Sequence, residues 1–200
     1  MTDASSGDSS RLILILGGAR SGKSGFALSL AERAGRRMLF VATAEALDEE
    51  MRQRVERHRR DRPDHWRTLE APTGVGEALR GRAGDSDAIV LDCLGFLVSN
   101  LMGDDDADAS QLKSRVDSEI GALLDFHGGS AATLIVVSNE VGCGIVPAYP
   151  SGRAFRDALG RANQQLARAA GRVYWMMAGL PVEVKASGLA EVWETAHDTA

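Results

Sequence analysis

An eight-residue stretch near the amino terminus has the residue types that bind a nucleoside triphosphate. Residues 17–24 read Gly-Gly-Ala-Arg-Ser-Gly-Lys-Ser and fit the P-loop pattern G-x-x-x-x-G-K-[ST]. Glycines at this spacing let backbone N–H groups turn inward around an anion, and a following helix adds its positive end. The pattern predicts that Lys23 reaches the β- and γ-phosphates and that Ser24 ligates Mg²⁺. The predicted nucleotide-binding residues are Gly17, Gly18, Ala19, Arg20, Ser21, Gly22, Lys23 and Ser24.

The segments on either side of this motif are those that a phosphate-binding loop requires. Residues 12–16 form an apolar run of the buried-strand type, and residues 25–33 are mostly good helix formers. This context favours a phosphate site over the alternative, an ordinary glycine turn. A second apolar run, residues 88–91, is followed by Asp92. An acid at such a strand end supports Mg²⁺ in P-loop enzymes, so Ser24 and Asp92 are predicted to hold the metal, directly or through water.

Length, composition and charge limit the class of protein. With 200 residues, 44% hydrophobic and 26% charged, the chain fits one soluble α/β domain. A net charge of −5 gives no basic field, so no nucleic-acid partner is expected. No apolar run approaches the ~20 residues that span a bilayer. Cys93 and Cys143 show neither metal-ligand spacing nor a disulfide framework, which predicts a cytoplasmic protein.

Strand and helix patterns predict one catalytic domain at residues 11–185, with a disordered tail at residues 1–10 and a second tail at residues 186–200. Thr43 and Ala44 follow the second strand directly, at an edge where open α/β sheets bind ligands. Strands are predicted at residues 12–16, 38–42, 66–70, 88–92, 133–138, 172–178 and 182–185, and helices at residues 25–33, 49–62, 74–82, 110–126 and 152–170.

One of these helices carries a histidine for which two interpretations exist. Met51, Val55 and His58 lie at i, i+4 and i+7, so they share one face, and this face should point inward. The helix is rich in arginines and must end by Pro63. The pattern alone favours a core histidine beside a solvated basic face. The alternative is a nucleophilic or acid–base imidazole, with guanidinium groups that hold phosphate.

Two loops also allow more than one interpretation. Residues 139–147 contain two glycines beside polar residues after a buried strand, a pattern typical of either a substrate loop or a structural turn. The acidic run at residues 104–108 is interpreted as a solvated loop rather than a metal site.

Taken together, an ordered series of motifs resembles the adenosylcobinamide kinase/adenosylcobinamide-phosphate guanylyltransferase family over residues 12–185. A P-loop alone is shared by many families, whereas this series is specific. Besides the P-loop, it comprises Ala42-Thr43-Ala44, Asp48-Glu49-Glu50-Met51 with Arg54, Val55, His58 and Arg59, Arg62-Pro63, Trp66, Glu70, Pro72, Asp92-Cys93-Leu94, Asn100-Leu101, residues 139–147 and residues 155–164.

The resemblance implies a RecA-like P-loop fold, a mostly parallel sheet flanked by helices, assembled as a homotrimer. It implies phosphorylation of adenosylcobinamide by ATP or GTP, then transfer of GMP from GTP onto the phosphate through a histidine. That histidine falls on His58, which reverses the preference from pattern alone. The resemblance also extends the predicted nucleotide site to Ala42, Thr43, Ala44, Arg59, Arg60, Asp61, Arg62, Glu70 and Asp92.

The sequence departs from the family pattern at three places. Some relatives have two adjacent histidines where this chain has Arg57-His58, and Gly95-Phe96 replaces a more usual threonine-containing stretch. The tail beyond Lys185 is longer than the pattern requires. Two other classes remain as alternatives, a P-loop small-molecule kinase without a covalent step and a nucleotide-binding regulatory protein without turnover.

Overall fold

The computed structural model describes residues 11–45, 49, 53, 63, 65–103 and 109–185. Within them, strands and helices mostly alternate, as the sequence pattern predicts. The strands are β1 (Leu12–Gly17), β2 (Met38–Ala42), β3 (Arg67–Glu70), β4 (Ala88–Asp92), β5 (Thr133–Asn139), β6 (Arg172–Met177) and β7 (Leu180–Glu183). The helices are α1 (Lys23–Ala34), α2 (Val75–Arg82), α3 (Leu94–Met102), α4 (Ala109–Gly128) and α5 (Pro150–Ala169).

The strands form one seven-stranded sheet in the order β3-β2-β4-β5-β1-β6-β7. All neighbouring pairs are parallel except β6 and β7, which are antiparallel. The carboxyl ends of β1 to β6 therefore meet at one edge, where the P-loop follows β1. The prediction of a mostly parallel P-loop α/β sheet flanked by helices is confirmed.

Alternating side chains of the buried strands divide the core into two layers. In β1, Leu12 and Leu14 pack on one face of the sheet, and Ile13 and Ile15 pack on the other. The first face is covered by α2, α3, α4 and α5, and the second is covered by α1. Both faces of β1 are buried, which explains its uninterrupted apolar sequence.

Helix α3 has no counterpart among the elements predicted from sequence. It reads Leu-Gly-Phe-Leu-Val-Ser-Asn-Leu-Met, so apolar residues occur nearly all round the helix and give no amphipathic stripe. Its side chains Leu94, Leu97 and Val98 are buried. The run is helical because it lies between the sheet and neighbouring helices. The spacing of its apolar residues does not show the 3.6-residue repeat from which a helix is predicted.

Predicted and observed boundaries differ by a few residues elsewhere. Helix α4 begins at Ala109, one residue before the predicted start. The predicted strand at residues 182–185 begins two residues earlier, at Leu180. The predicted helix at residues 49–62, the tails and the acidic run at residues 104–108 lie wholly or mostly outside the described residues.

A buried carboxylate joins α4 to the start of α2. Glu119 is only 9% exposed, and its two oxygens accept hydrogen bonds from the backbone N–H groups of Gly74 (3.0 Å) and Val75 (2.6 Å). Gly74 precedes α2 in a left-handed conformation and provides no side-chain cap. The carboxylate of Glu119 therefore caps a helix to which it does not belong, and its charge complements the helix dipole.

Replacing Glu119 with Gln is expected to lower the free energy of unfolding by about 1–3 kcal/mol, because an amide cannot accept both hydrogen bonds and leaves a buried donor unsatisfied. Urea denaturation measures this. Glu77→Gln, which changes an exposed acid in α2, is the matched control and should cost only a few tenths of a kcal/mol. Equal losses in both variants would contradict a specific capping role.

Candidate active site

The P-loop joins β1 to α1 at the carboxyl edge of the sheet. Gly17 ends β1, and a Cβ atom there would lie 2.7 Å from Ser21 Oγ and 2.8 Å from the Met176 carbonyl oxygen, so a larger residue does not fit. Gly22 precedes α1 with φ 93°, a left-handed conformation that favours glycine. The two glycines therefore meet requirements of space and backbone conformation, as the motif predicts.

Lys23, the first residue of α1, is folded back over the loop. Its side chain is 7% exposed, and its ammonium donates a hydrogen bond to the Gly18 carbonyl at 2.7 Å. Ser21 is also buried, and its hydroxyl oxygen has no hydrogen-bond partner among the described residues. Positive charge and an unsatisfied hydroxyl thus lie together inside the predicted phosphate cradle.

Arg20 is exposed and has φ 55°, which is uncommon for a residue with a side chain. Successive backbone N–H groups in alternating right- and left-handed conformations form concave anion sites, so the strained position supports the phosphate interpretation of the loop.

The turn between β6 and β7 packs against the P-loop, a contact that sequence reasoning missed. Ala178 and Gly179 form this two-residue turn, both with positive φ as type I′ hairpins require. The Gly179 N–H donates to the Ser21 carbonyl at 3.2 Å, and a Cβ atom on Gly22 would lie 3.3 Å from Gly179 Cα. The pair Ala-Gly is a weaker hairpin signal than Asn-Gly, so nothing in the sequence pointed to this support.

Asp92 ends β4 at the same edge as the P-loop. Strand β5 lies between β1 and β4, so these two strands are two strand spacings, roughly 10 Å, apart. Asp92 Oδ2 is buried and has no hydrogen-bond partner among the described residues. A buried carboxylate oxygen without a partner and the half-buried Ser24 hydroxyl are hard oxygen donors, which fit Mg²⁺. Among the described residues, no group of three or more His, Cys, Asp or Glu side chains is arranged to hold a metal ion.

The end of β2 is held by a buried polar network. The fully buried Thr43 hydroxyl accepts a hydrogen bond from the Cys93 N–H at 2.9 Å and donates one to the Cys93 carbonyl at 2.7 Å. Asn100 in α3 donates to the carbonyls of Thr43 (2.8 Å) and Pro72 (2.9 Å). The Thr43 side chain is thus committed to the protein, while Ala42 and Ala44 are partly exposed. The network ties together the segments that follow β2, β3 and β4.

Cys93 lies beside this network, but its thiol is not poised as a nucleophile. Burial, followed in size by the charge of Asp92, raises the pKa of the Cys93 thiol to about 11. The thiol is therefore uncharged near neutral pH, which excludes thiolate chemistry at this position.

Glu70 and the segment after β5 lie at the same carboxyl edge of the sheet as the P-loop. Glu70 ends β3, is exposed, and pairs in register with Ala42 of β2. Asn139 pairs in register with Gly17, and the Glu140 N–H donates to the Gly17 carbonyl at 3.0 Å. The loop that follows β5 therefore starts beside the P-loop, which favours the substrate-loop interpretation over a turn remote from the site.

A buried pair fixes the start of this loop to α5. Ser138 donates to Asn163 Oδ1 at 2.6 Å, and Asn163 Nδ2 donates to the Asn139 carbonyl at 3.2 Å. The sequence marks Asn163 as a polar helix residue within the family motif at residues 155–164. Its partners are not predictable from sequence, because they depend on α5 packing across the end of β5.

The structure thus brings the P-loop, Ala42–Ala44, Glu70 and Asp92 to one edge of the sheet. His58 and the four residues Arg59, Arg60, Asp61 and Arg62 lie outside the described residues, so their positions stay predictions.

Comparison with known proteins shows the family of the chain. Residues 13–184 match the family model described as cobinamide kinase/cobinamide phosphate guanyltransferase. The bifunctional adenosylcobalamin biosynthesis protein CobU of Escherichia coli is 38% identical over 181 residues, covering 87% of this chain and 99% of that protein. CobP of Pseudomonas aeruginosa, with the same description, is 42% identical over 176 residues, covering 88% and 98%. CobU of Salmonella typhimurium is 39% identical over 181 residues, covering 87% and 99%.

Among solved structures, the RadB recombinase aligns with a TM-score of 0.46 and 14% sequence identity, covering 82% of this chain and 73% of that one.

Proposed function

Because the chain belongs to the cobinamide kinase/cobinamide phosphate guanyltransferase family, we propose that one P-loop site serves both of its reactions and that His58 carries GMP between substrates. The chain is a bifunctional kinase and guanylyltransferase of cobalamin biosynthesis. One observation carries the shared-site proposal. The buried Lys23 ammonium is folded over the Gly18 carbonyl, in a loop that the β6–β7 turn and Glu140 hold from two sides.

In the kinase step, ATP or GTP is held with its β- and γ-phosphates against the P-loop N–H groups and Lys23. The hydroxyl of adenosylcobinamide attacks the γ-phosphorus and releases its proton to solvent. The bond from the γ-phosphorus to the bridging oxygen breaks, and the nucleoside diphosphate leaves. Lys23 stabilises the charge that develops on the transferred and departing oxygens.

In the guanylyl step, a neutral His58 imidazole attacks the α-phosphorus of GTP and pyrophosphate leaves. The phosphate of adenosylcobinamide phosphate then attacks the same phosphorus, the N–P bond breaks, and adenosylcobinamide-GDP forms. Lys23 and the loop N–H groups hold the leaving pyrophosphate, while Arg59 and Arg62 steady the phosphoryl oxygens. Arg60, Asp61 and Glu70 are assigned to nucleotide binding on the same resemblance.

Ser24 and Asp92 are the residues that would hold Mg²⁺, directly or through water. When bound, this ion neutralises negative charge on the phosphate oxygens. The assignment of Asp92 rests on its buried oxygen without a hydrogen-bond partner among the described residues.

Replacing Asp92 with Asn is expected to weaken Mg²⁺-dependent turnover roughly 10- to 100-fold while the protein stays folded, because the amide is a poor ligand or partner for the metal and its water. The readouts are initial rates and GTP affinity, each measured over a Mg²⁺ titration. Asp125→Asn, at an exposed acid of α4, is the control and should match the wild type. If Asp92→Asn keeps wild-type rates and Mg²⁺ dependence, Asp92 is only the acid at a strand end.

Labelling with α- or γ-phosphorus-labelled GTP tests the covalent route against its alternatives. The proposed enzyme retains the α-label through denaturation and transfers the γ-label to adenosylcobinamide. A P-loop kinase without a covalent step would transfer the γ-label only, and a regulatory nucleotide-binding protein would do neither.

We further propose that the catalytic domain spans residues 11–185, is cytoplasmic and assembles as a homotrimer. One continuous sheet from Leu12 to Glu183 supports the domain.

Both cysteines are free thiols, and Cys143 is exposed, which supports a reducing compartment. No helix in the described part of the chain has the length and apolar character needed to cross a membrane. The trimer rests on the family resemblance, and sedimentation equilibrium of the whole chain measures it.

A further inference from the structure

The loop between β5 and α5, which starts beside the P-loop, has an apolar tip exposed to solvent. Ile145 is 96% exposed, Val146 60% and Tyr149 76%. From Val141 to Gly152 the sequence contains no charged residue, although 26% of the whole chain is charged. Large apolar side chains clustered in an uncharged surface segment indicate a binding surface.

Both ends of this loop are held in place. At its start, the Glu140 carboxylate accepts hydrogen bonds from the backbone N–H groups of Gly142 and Cys143, the latter at 3.1 Å. At its end, Arg153 donates to the carbonyls of Pro147 (2.9 Å) and Ala148 (2.8 Å). The apolar side chains are therefore presented to solvent by a loop whose backbone is anchored on either side of them.

The position of the loop limits what binds there. The Glu140 N–H donates to the Gly17 carbonyl, so the loop starts at the P-loop itself. Ile145 is six residues beyond Asn139 and thus at most about 20 Å from it. A molecule on Ile145 and Val146 would reach phosphates held at Lys23 through a side arm. The acceptor of this enzyme has that form, since the corrin ring is a broad, largely apolar macrocycle with neutral amides and carries its reacting hydroxyl on a side arm.

We propose that Ile145, Val146 and Tyr149 form the surface on which the corrin ring of the acceptor rests, an assignment that depends on the proposed function of the chain. The absence of charge in the segment matches a ring with neutral substituents, while the cationic P-loop receives the phosphates. The surface serves both reactions, because cobinamide and its phosphate share the same ring.

The test uses the whole chain with Ile145 and Val146 both replaced by Ser. Equilibrium dialysis with dicyanocobinamide should give a dissociation constant about tenfold or more above wild type, because two apolar contacts are lost. The KM for the corrinoid should rise similarly, with the KM for GTP and covalent labelling by α-labelled GTP unchanged.

Two control variants accompany this test. Ile145→Leu should keep wild-type affinity. Val182→Ser, which removes a 54% exposed valine on β7, is the control for lost apolar surface and should also leave affinity unchanged.

The outcomes separate this inference from the proposed function. If the wild-type chain binds no cobinamide and takes no label, the proposed function itself fails. If it binds cobinamide and the double variant binds equally well, the ring rests elsewhere. A changed sedimentation mass of the double variant would make the apolar tip a contact between copies of the chain, and this too overturns the proposal.

Discussion

Replacing Lys23 with Ala is expected to lower both the kinase and the guanylyltransferase rates by about a thousandfold, because each reaction needs the triphosphate held in the same P-loop. In the proposed mechanism, the ammonium stabilises charge on the transferred phosphoryl group in the kinase step and holds the departing pyrophosphate in the guanylyl step. Initial rates of each reaction at saturating GTP measure the effect, so weaker binding alone cannot account for it.

Two controls accompany this variant. Lys113→Ala removes an exposed lysine paired with Asp117 in α4 and should leave both rates unchanged. Thermal unfolding of Lys23→Ala checks that loss of a buried side chain, and of its 2.7 Å bond to Gly18, has not unfolded the loop and helix. Wild-type turnover of both reactions would contradict the shared-site proposal. Loss of only one reaction would mean that the retained reaction uses a separate phosphate-binding site.

The elements that are predictable from sequence are those defined by a short, local residue pattern. Strands β2 and β4 have the predicted limits, residues 38–42 and 88–92, because each is an apolar run with a clear boundary at both ends. The P-loop was predictable because its glycines satisfy a local backbone requirement. Neither inference needs knowledge of which other segment lies nearby.

The missed features depend on contacts between distant segments. Helix α3 is apolar nearly all round, so the spacing of its apolar residues does not distinguish a helix from a strand. Likewise, the Thr43 hydroxyl is bound to the Cys93 backbone, fifty residues away, which no spacing pattern reveals. The turn at Ala178 and Gly179 supports the P-loop only because β6 lies next to β1 in the sheet.

For His58, the sequence pattern alone and the family motifs indicate different roles. Helical spacing alone favoured a core role for His58, since a histidine on an inward face is more often structural than catalytic. Only the ordered family motifs reversed that preference. The proposed role of His58 as the nucleophile therefore rests on the family motifs and not on helical spacing.

Replacing His58 with Asn is expected to abolish guanylyl transfer while leaving measurable kinase activity. An amide cannot form the covalent phosphoramidate, so neither bound GMP nor adenosylcobinamide-GDP should appear. In the proposed mechanism, the kinase step needs only positioning and charge stabilisation by Lys23, Mg²⁺ and arginines, so adenosylcobinamide phosphate should still form. The measurements are covalent label from α-labelled GTP and chromatographic separation of the two corrinoid products.

The chemistry of the wild-type label and the other three histidines make the test specific. A histidine phosphoramidate is labile in acid and stable in alkali, which distinguishes it from a phosphoester of serine or threonine. His65 is exposed just before β3, His127 is buried at the end of α4, and His197 lies outside the described residues. Replacing any of them should leave labelling intact if the protein stays folded. Full labelling of the His58→Asn protein would place the nucleophile elsewhere, and loss of both activities in a folded variant would mean that His58 also serves the kinase step.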